Sequence, residues 1–253
     1  MGDFAIRLAE VSKTFPGHSR PLGAKEMILQ APFRWRQRTA PRHVALQDIT
    51  LDVPAGQFLG IFGHNGAGKS TLLSLIAGIT PPDSGTIAVK GRLVPLLQLG
   101  AGFHPDLSGR ENVILNGLLL GMRRAEILAR MPEIIEFAGL GEFIDEAIYT
   151  YSTGMVARLG FAVAVHAEPD ILLLDEVLAV GDVEFRDKCE RTLGDLRSKG
   201  LTVLLVSHSP ASIVISCDRL VVIRDHKVLA DGDPAAVFQS LGIKPSGKSA
   251  RRE

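Results

Sequence analysis

The stretch Phe58-Leu-Gly-Ile-Phe-Gly-His-Asn-Gly-Ala-Gly-Lys-Ser-Thr-Leu-Leu73 sets the reading of the whole chain. An apolar run (Phe58, Leu59, Ile61, Phe62) enters a glycine-rich loop, and an apolar helical pattern at Leu72, Leu73, Leu75 and Ile76 leaves it. From Gly63 to Ser70 the loop fits G-x-x-x-x-G-K-[ST], a phosphate cradle between a strand and a helix. Polyphosphate carries dense negative charge, so its cradle must bring backbone N–H groups close, and bulky side chains would prevent that. Gly63, His64, Asn65, Gly66, Ala67 and Gly68 form this cradle, and the unpaired N–H groups of the following first turn extend it through Lys69, Ser70 and Thr71. Lys69 is expected to reach the β- and γ-phosphates and the Ser70 hydroxyl to ligate Mg²⁺. A bare strand–turn–helix corner would explain the glycines by close packing alone; it leaves Lys69-Ser70 unexplained. The motif implies a nucleoside triphosphate ligand.

The second half of the chain supplies acids at matching places. Ile171-Leu172-Leu173-Leu174 is a continuous apolar run, as suits a strand buried on both faces of a parallel sheet. It ends in Asp175-Glu176, which puts both acids at the carboxyl end of a central strand, where α/β sheets bind ligands. Asp175 is the candidate partner of Ser70 on Mg²⁺, and Glu176 the candidate for the attacking water. A second buried strand, Leu201 to Val206, ends in Ser207-His208, and His208 is the candidate sensor of the γ-phosphate. Taken alone, Glu176 reads as an exposed acid and His208 as a satisfied histidine. Behind a P-loop, in this order, they read as chemistry.

With 253 residues the chain has volume for one large domain or two small ones. Its 28 Lys and Arg balance 28 Asp and Glu, so net charge argues for no particular partner. Cys189 and Cys217 show neither metal-ligand nor disulfide spacing. The N-terminus lacks the pattern of a signal peptide, and no apolar run approaches the roughly 20 residues that span a bilayer. The expectation is a cytosolic protein that relies on another polypeptide for any membrane span.

Along the chain, Ala5 to Val11 reads as a strand, and Val44 to Val53 and Gln57 to Phe62 as two more. Between them, residues 17–42 hold Arg20, Lys25, Arg34, Arg36, Arg38 and Arg42 against the single acid Glu26, a local charge of +5 (six minus one), with Phe33 and Trp35 interleaved. A solvated loop is the plain reading, but long structureless loops tend to be functional. The insert is expected to contact an acidic surface, lipid headgroups or nucleic acid. Thr86 to Lys90 and Arg92 to Leu97 are short extended runs, and Ser108-Gly109-Arg110-Glu111 is a capping box opening a helical region that runs to about Phe143. Tyr149 to Gly154 leads into an apolar helix, Glu168-Pro169 stops it, and a helix from Val183 to Ser198 follows the acidic pair. Ser209-Pro210 and Asp233-Pro234 each start a helix, with a hairpin (Arg219 to Val222, Lys227 to Leu229) between them. Past residue 241 the chain is polar, Pro/Gly/Ser-rich and expected to be disordered.

P-loop, signature segment, strand-end acids and histidine, in this order, resemble the ATP-binding subunit of an ABC transporter over about Phe4 to Phe238. The family's signature loop, usually L-S-G-G-Q, matches Tyr151-Ser152-Thr153-Gly154-Met155: Ser152 and Gly154 are kept, while the first, third and last positions depart. The following A-R-L-G-F-A-V-A and the D-E-V-L-A-V-G-D around Asp175 resemble the branch that exports capsule, O-antigen or teichoic-acid polysaccharide. The resemblance implies an α/β P-loop NTPase fold: a RecA-like parallel-sheet core, an antiparallel β subdomain and a helical subdomain (100–168), within one domain spanning 1–240. It makes Phe15 the aromatic that stacks on adenine, Gln98 the Q-loop residue near the metal, and Leu178 to Asp182 the D-loop.

It also implies ATP and Mg²⁺ as ligands, with Lys69, Glu176 and His208 catalytic. Two copies would pair head to tail, Ser152, Thr153 and Gly154 of one closing on the nucleotide held by the other. The expected partners are a homodimer mate, a pair of integral-membrane permease subunits and, indirectly, a lipid-linked polysaccharide, at the cytoplasmic face of a bacterial inner membrane, with no nucleic acid. The rival expectations are a transporter of lipid, drug or chelate, and a soluble ABC ATPase acting on nucleic acid or ribosomes. Soluble ATPases of that kind commonly carry two cassettes or a long coiled-coil insert, and this sequence has neither.

Overall fold

The computed structural model describes residues 4–16, 42–96, 100, 102–175 and 183–244. Among them, strands fall into two sheets. Strands β1 (Phe4–Pro16), β2 (Arg42–Pro54) and β4 (Ser84–Val89) form an antiparallel sheet in the order β2-β1-β4. Strands β3 (Phe58–Phe62), β5 (Leu93–Leu96), β6 (Ile171–Asp175), β7 (Thr202–Val206), β8 (Arg219–Arg224) and β9 (Lys227–Gly232) form the other, in the order β5-β6-β7-β3-β8-β9. All its neighbours pair parallel except β8 and β9. The α/β architecture expected from the sequence is the one observed.

Why the central strands are apolar throughout is visible in the packing. Side chains alternate across a strand, and here both faces are covered. Leu172 and Leu174 enter a core formed with the helical region, while Ile171 and Leu173 enter a second core shared with the antiparallel sheet. Val203 and Leu205 of β7 join the first core, Leu204 and Val206 the second. Helix α1 (Lys69–Ile76) covers the second face through Leu72, Leu73, Leu75 and Ile76. Truncating a fully buried leucine such as Leu172 should cost about 2–5 kcal/mol.

The helical region departs from a single run. It divides into α2 (Gly109–Leu119) and α3 (Arg124–Ala138), followed by α4 (Thr153–His166). The break is a Schellman close: Gly121 takes φ +82°, its N–H donates to Leu118 O, and Met122 N–H donates to Gly117 O. Helix α3 then restarts with Arg123 N–H donating to the Glu126 carboxylate. The capping box at α2 forms as expected, with Ser108 N–H on Glu111 Oε2 at 2.9 Å and Glu111 N–H on Ser108 Oγ at 3.2 Å.

Strand β1 continues through Pro16, well past Val11, because its second half pairs with β2 from Lys13↔Leu46 to Pro16↔Arg42. Arg42, read as the end of the basic insert, is therefore the first residue of β2. Helices α5 (Val183–Ser198), α6 (Pro210–Ser216) and α7 (Pro234–Ser240) complete the order, the last two capped by Ser209 and Asp233 as the sequence indicates. Beyond α7, Ile243 N–H donates to Phe238 O and its side chain packs on the core, so order extends past 241.

Candidate functional site

The parallel sheet brings its chemistry to one edge. Ile61 pairs with Val206, and Val206 with Asp175, so the ends of β3, β7 and β6 lie level. Gly63, His208 and Asp175 each follow or close one of these strands. A cleft of about 410 Å³ opens there, lined by Asn65, Gly66, Gly68, Lys69, Ser70, Thr71, Asp175 and His208 together with Phe15, His43 and Ala45. The structure thus assembles the P-loop, the strand-end aspartate, the histidine and the aromatic in one place.

The loop glycines are there for backbone reasons. Gly66 and Gly68 adopt φ +82° and +107°, a region that L side chains avoid. A Cβ on Gly68 would fall 2.4 Å from Ala45 O, and one on Gly63 2.4 Å from Ile223 O. Ala67 N–H closes the turn on His64 O at 3.1 Å. The Lys69 ammonium is buried and folds back over the loop, donating to Gly63 O at 2.8 Å and His64 O at 3.1 Å. It is held at the cradle's rim, where a bound phosphate oxygen would compete with these carbonyls for its protons.

The fit to a phosphate ligand rests on this geometry: glycine backbone without Cβ cover, a lysine already over the loop, and α1 opening beneath it with no acid in its first turn. Ser70 and Asp175 share the cleft and offer hard oxygen donors suited to Mg²⁺. Glu176, Gln98 and Asp182 lie outside the described residues, as do Leu178 and the Arg34, Arg36, Arg38 and Trp35 of the insert.

Phe15 lies near the end of β1, 38% exposed and opposite His43. Lys13 sets this strand end: its ammonium lies 5.5 Å from the Phe15 ring centroid and donates to Pro81 O and Asp83 Oδ1, both at 2.8 Å. Asp83 also accepts from the N–H and hydroxyl of Thr14. The Lys13 hydrogen bond first, then those from Thr14, hold the Asp83 carboxyl down at about 2.

The signature residues stand elsewhere. Ser152 caps α4, its Oγ accepting from Met155 N–H at 3.2 Å, and Thr153 and Gly154 form the first turn. Tyr151 ties this loop down by donating its hydroxyl to Phe143 O at 2.6 Å, and Gly109 leaves room for that hydroxyl. Burial, then the neighbouring Asp145 and Glu146, push the Tyr151 phenol up. Ser152, Gly154 and Arg158 line a cleft of about 370 Å³ that shares no residue with the P-loop cleft.

Sequence reasoning missed His43, Ala45, Lys13 and Asp83. Their place depends on the β1–β2 register, which the intervening insert hides.

A family model described as ABC transporter matches residues 46–179, more than half of the chain. The chain belongs to the ABC transporter family. Among curated relatives, the O-antigen export system ATP-binding protein RfbB of Klebsiella pneumoniae is 43% identical over 235 residues, which cover 92% of this chain and 96% of that protein. RfbB of Myxococcus xanthus is 47% identical over 239 residues, covering 92% of this chain and 54% of the relative. The teichoic acids export ATP-binding protein TagH of Bacillus cereus is 38% identical over 231 residues, covering 91% of this chain and 41% of that one. An ATP-binding subunit of an ABC transporter superposes with a TM-score of 0.75 at 20% identity, covering 96% of this chain and 95% of the other. The ATP-binding cassette MJ0796, solved as a dimer with ADP and Pi, gives 0.70 at 22%, covering 90% and 98%. These two likenesses carry the fold. As an ABC ATPase the chain binds ATP, and no helix among its described residues is long and apolar enough to cross a membrane.

Proposed function

We propose that this ABC ATPase powers export of a lipid-linked cell-surface polysaccharide, two copies working head to tail beneath a pair of membrane permease subunits. The observation that carries the reading is the 43% identity to an O-antigen export ATP-binding protein over nearly the whole of both chains. The two separate clefts support the pairing. Ser152 and Gly154 form an anion-ready helix start that lines a different cleft from the phosphate cradle of the same copy, which favours a second copy as the source of the cradle they close on.

In this reading Gly66, Lys69 and Ser70 hold the triphosphate, and Ser152 and Gly154 of the mate meet the γ-phosphate only when the pair is shut. Contacts that exist in one state alone shift the equilibrium toward it. Ser70, Asp175 and Gln98 would hold Mg²⁺, which when bound would supply positive charge against the transferring phosphoryl group. Glu176 aims and deprotonates the attacking water, His208 senses the γ-phosphate, and Phe15 stacks on adenine. Asp182 joins the D-loop contacts across the interface. Once the γ-phosphate leaves, the contacts from Ser152 and Gly154 are lost and the pair opens. The region spanning α2 and α3 passes that motion to the permease, and the chain works at the cytoplasmic face of a bacterial inner membrane.

The test is made in the source cell. Replacing the chain by its Lys69→Ala variant should make a lipid-linked glycan accumulate inside the cytoplasmic membrane and vanish from the surface. An unchanged surface glycan, with loss of a different exported cargo, would overturn the polysaccharide assignment and leave the ATPase standing.

A further inference from the structure

The wall of the cleft built by the antiparallel strands holds two rings. Phe15 and His43 are direct cross-strand partners of β1 and β2, so they share a face, and both line the cleft. Partners of this kind have Cβ atoms about 4.5–5.5 Å apart, which sets their side chains next to each other. Both are exposed.

His43 also meets a second ring. The His226 ring meets it edge-on, with centroids 5.6 Å apart and planes at 87°. His226 is itself fixed at the tight β8–β9 turn, where Asp225 and His226 take φ +50° and +67°. Its Nδ1 lies 3.2 Å from Ala45 O, and its carbonyl accepts from Gln47 N–H at 2.8 Å. A hairpin of the parallel sheet is thereby pinned to β2 on both sides of Ala45, whose carbonyl also abuts Gly68 of the P-loop. One strand therefore spaces the His43 ring from the phosphate cradle.

We infer that His43 is a second nucleobase contact: with Phe15 it makes a two-ring platform across which a purine lies, and His226 is the positioning residue that holds the imidazole in place. The inference rests on the reading that ATP occupies this cleft. A bicyclic base covers both rings, whereas a pyrimidine covers one, so the platform selects purine nucleotides.

The test is a binding titration of the full chain with ATP, CTP and inorganic tripolyphosphate. Removing a ring on which a base stacks weakens binding by about 5- to 150-fold. His43→Ala should show that loss for ATP, a smaller one for CTP and none for tripolyphosphate, and His43→Phe should restore ATP. His226→Ala should lower the ATP-to-CTP ratio by a smaller factor, again without touching tripolyphosphate. ATP binding unchanged in His43→Ala overturns the inference, and so does a parallel fall in ATP and tripolyphosphate, which would make His43 a prop for the loop. Failure of the unaltered chain to bind ATP would overturn this inference together with the reading of the cleft, whereas either of the other two outcomes sinks the inference alone.

Discussion

Asp175, the last residue of β6, stands in register with Val206, the last residue of β7, and so the carboxylate and His208 two residues further on reach the same cleft. Parallel pairing fixes this: both strands end at one edge, and Ser70 faces that edge from the start of α1. Asp175→Asn keeps the shape and removes the charge. The expected outcome is ATP binding that no longer responds to Mg²⁺, read by titration with and without the metal. Retained Mg²⁺ dependence would take Asp175 out of the metal site.

Glu176 follows Asp175 in the chain, the next residue past the strand end. Glu176→Gln should leave ATP affinity intact and slow hydrolysis by about 10²–10⁴-fold, the scale of lost general-base catalysis. With hydrolysis stalled, the variant should also run as a dimer in sedimentation when ATP and Mg²⁺ are present. Turnover near that of the unaltered chain would exclude the role.

The separation of the two clefts gives a mixing test. A Lys69→Ala copy and a Ser152→Glu copy are each expected to be inactive as homodimers. In a mixed pair, one composite site carries both lesions and the other carries neither. Mixing should therefore restore ATPase activity from one site per pair. Failure to recover any activity, with mixed pairs demonstrated by tagged pull-down, would count against head-to-tail sharing.

Much of this arrangement was legible in the sequence because it is local. The P-loop carries its own strand and helix signals, and Ile171 to Leu174 announces a doubly covered strand before the acids. Caps at Ser108, Ser209 and Asp233 form where their residue types indicate. What stayed hidden is non-local. The pairing of Phe15 with His43 spans the insert, the Lys13–Asp83 contact joins residues 70 apart, and the His226 brace comes from a hairpin of the other sheet. The break between α2 and α3 is a local signal that apolar periodicity masked, since Gly121 sits amid leucines and methionine.

Gly68 measures how much the cradle depends on its backbone. At φ +107° with Ala45 O lying 2.4 Å from a Cβ, Gly68→Ala is strained twice. The left-handed conformation alone costs about 1–2 kcal/mol, and the carbonyl is backbone that cannot swing aside. Urea unfolding should show a loss of at least that size, and ATP affinity should fall as the loop shifts. A variant with unaltered stability would mean that the loop relaxes freely.

Asp83 offers a pH reading remote from the cradle. Its carboxyl sits at about 2 in the folded chain against an ordinary value of 3.8, because Lys13 and Thr14 donate to its charged form. A carboxyl depressed on folding contributes stability above its unfolded value, and that contribution disappears as pH falls through the folded one. The stability difference between the unaltered chain and Asp83→Asn should thus be constant above about pH 4.5 and shrink between about pH 4 and 2. With the carboxyl half exposed, solvent screening keeps the effect modest. Thermal midpoints of both proteins across that range check it, and a difference that persists unchanged down to pH 2 would show that the ion pair with Lys13 does not set the stability of the Phe15 strand end.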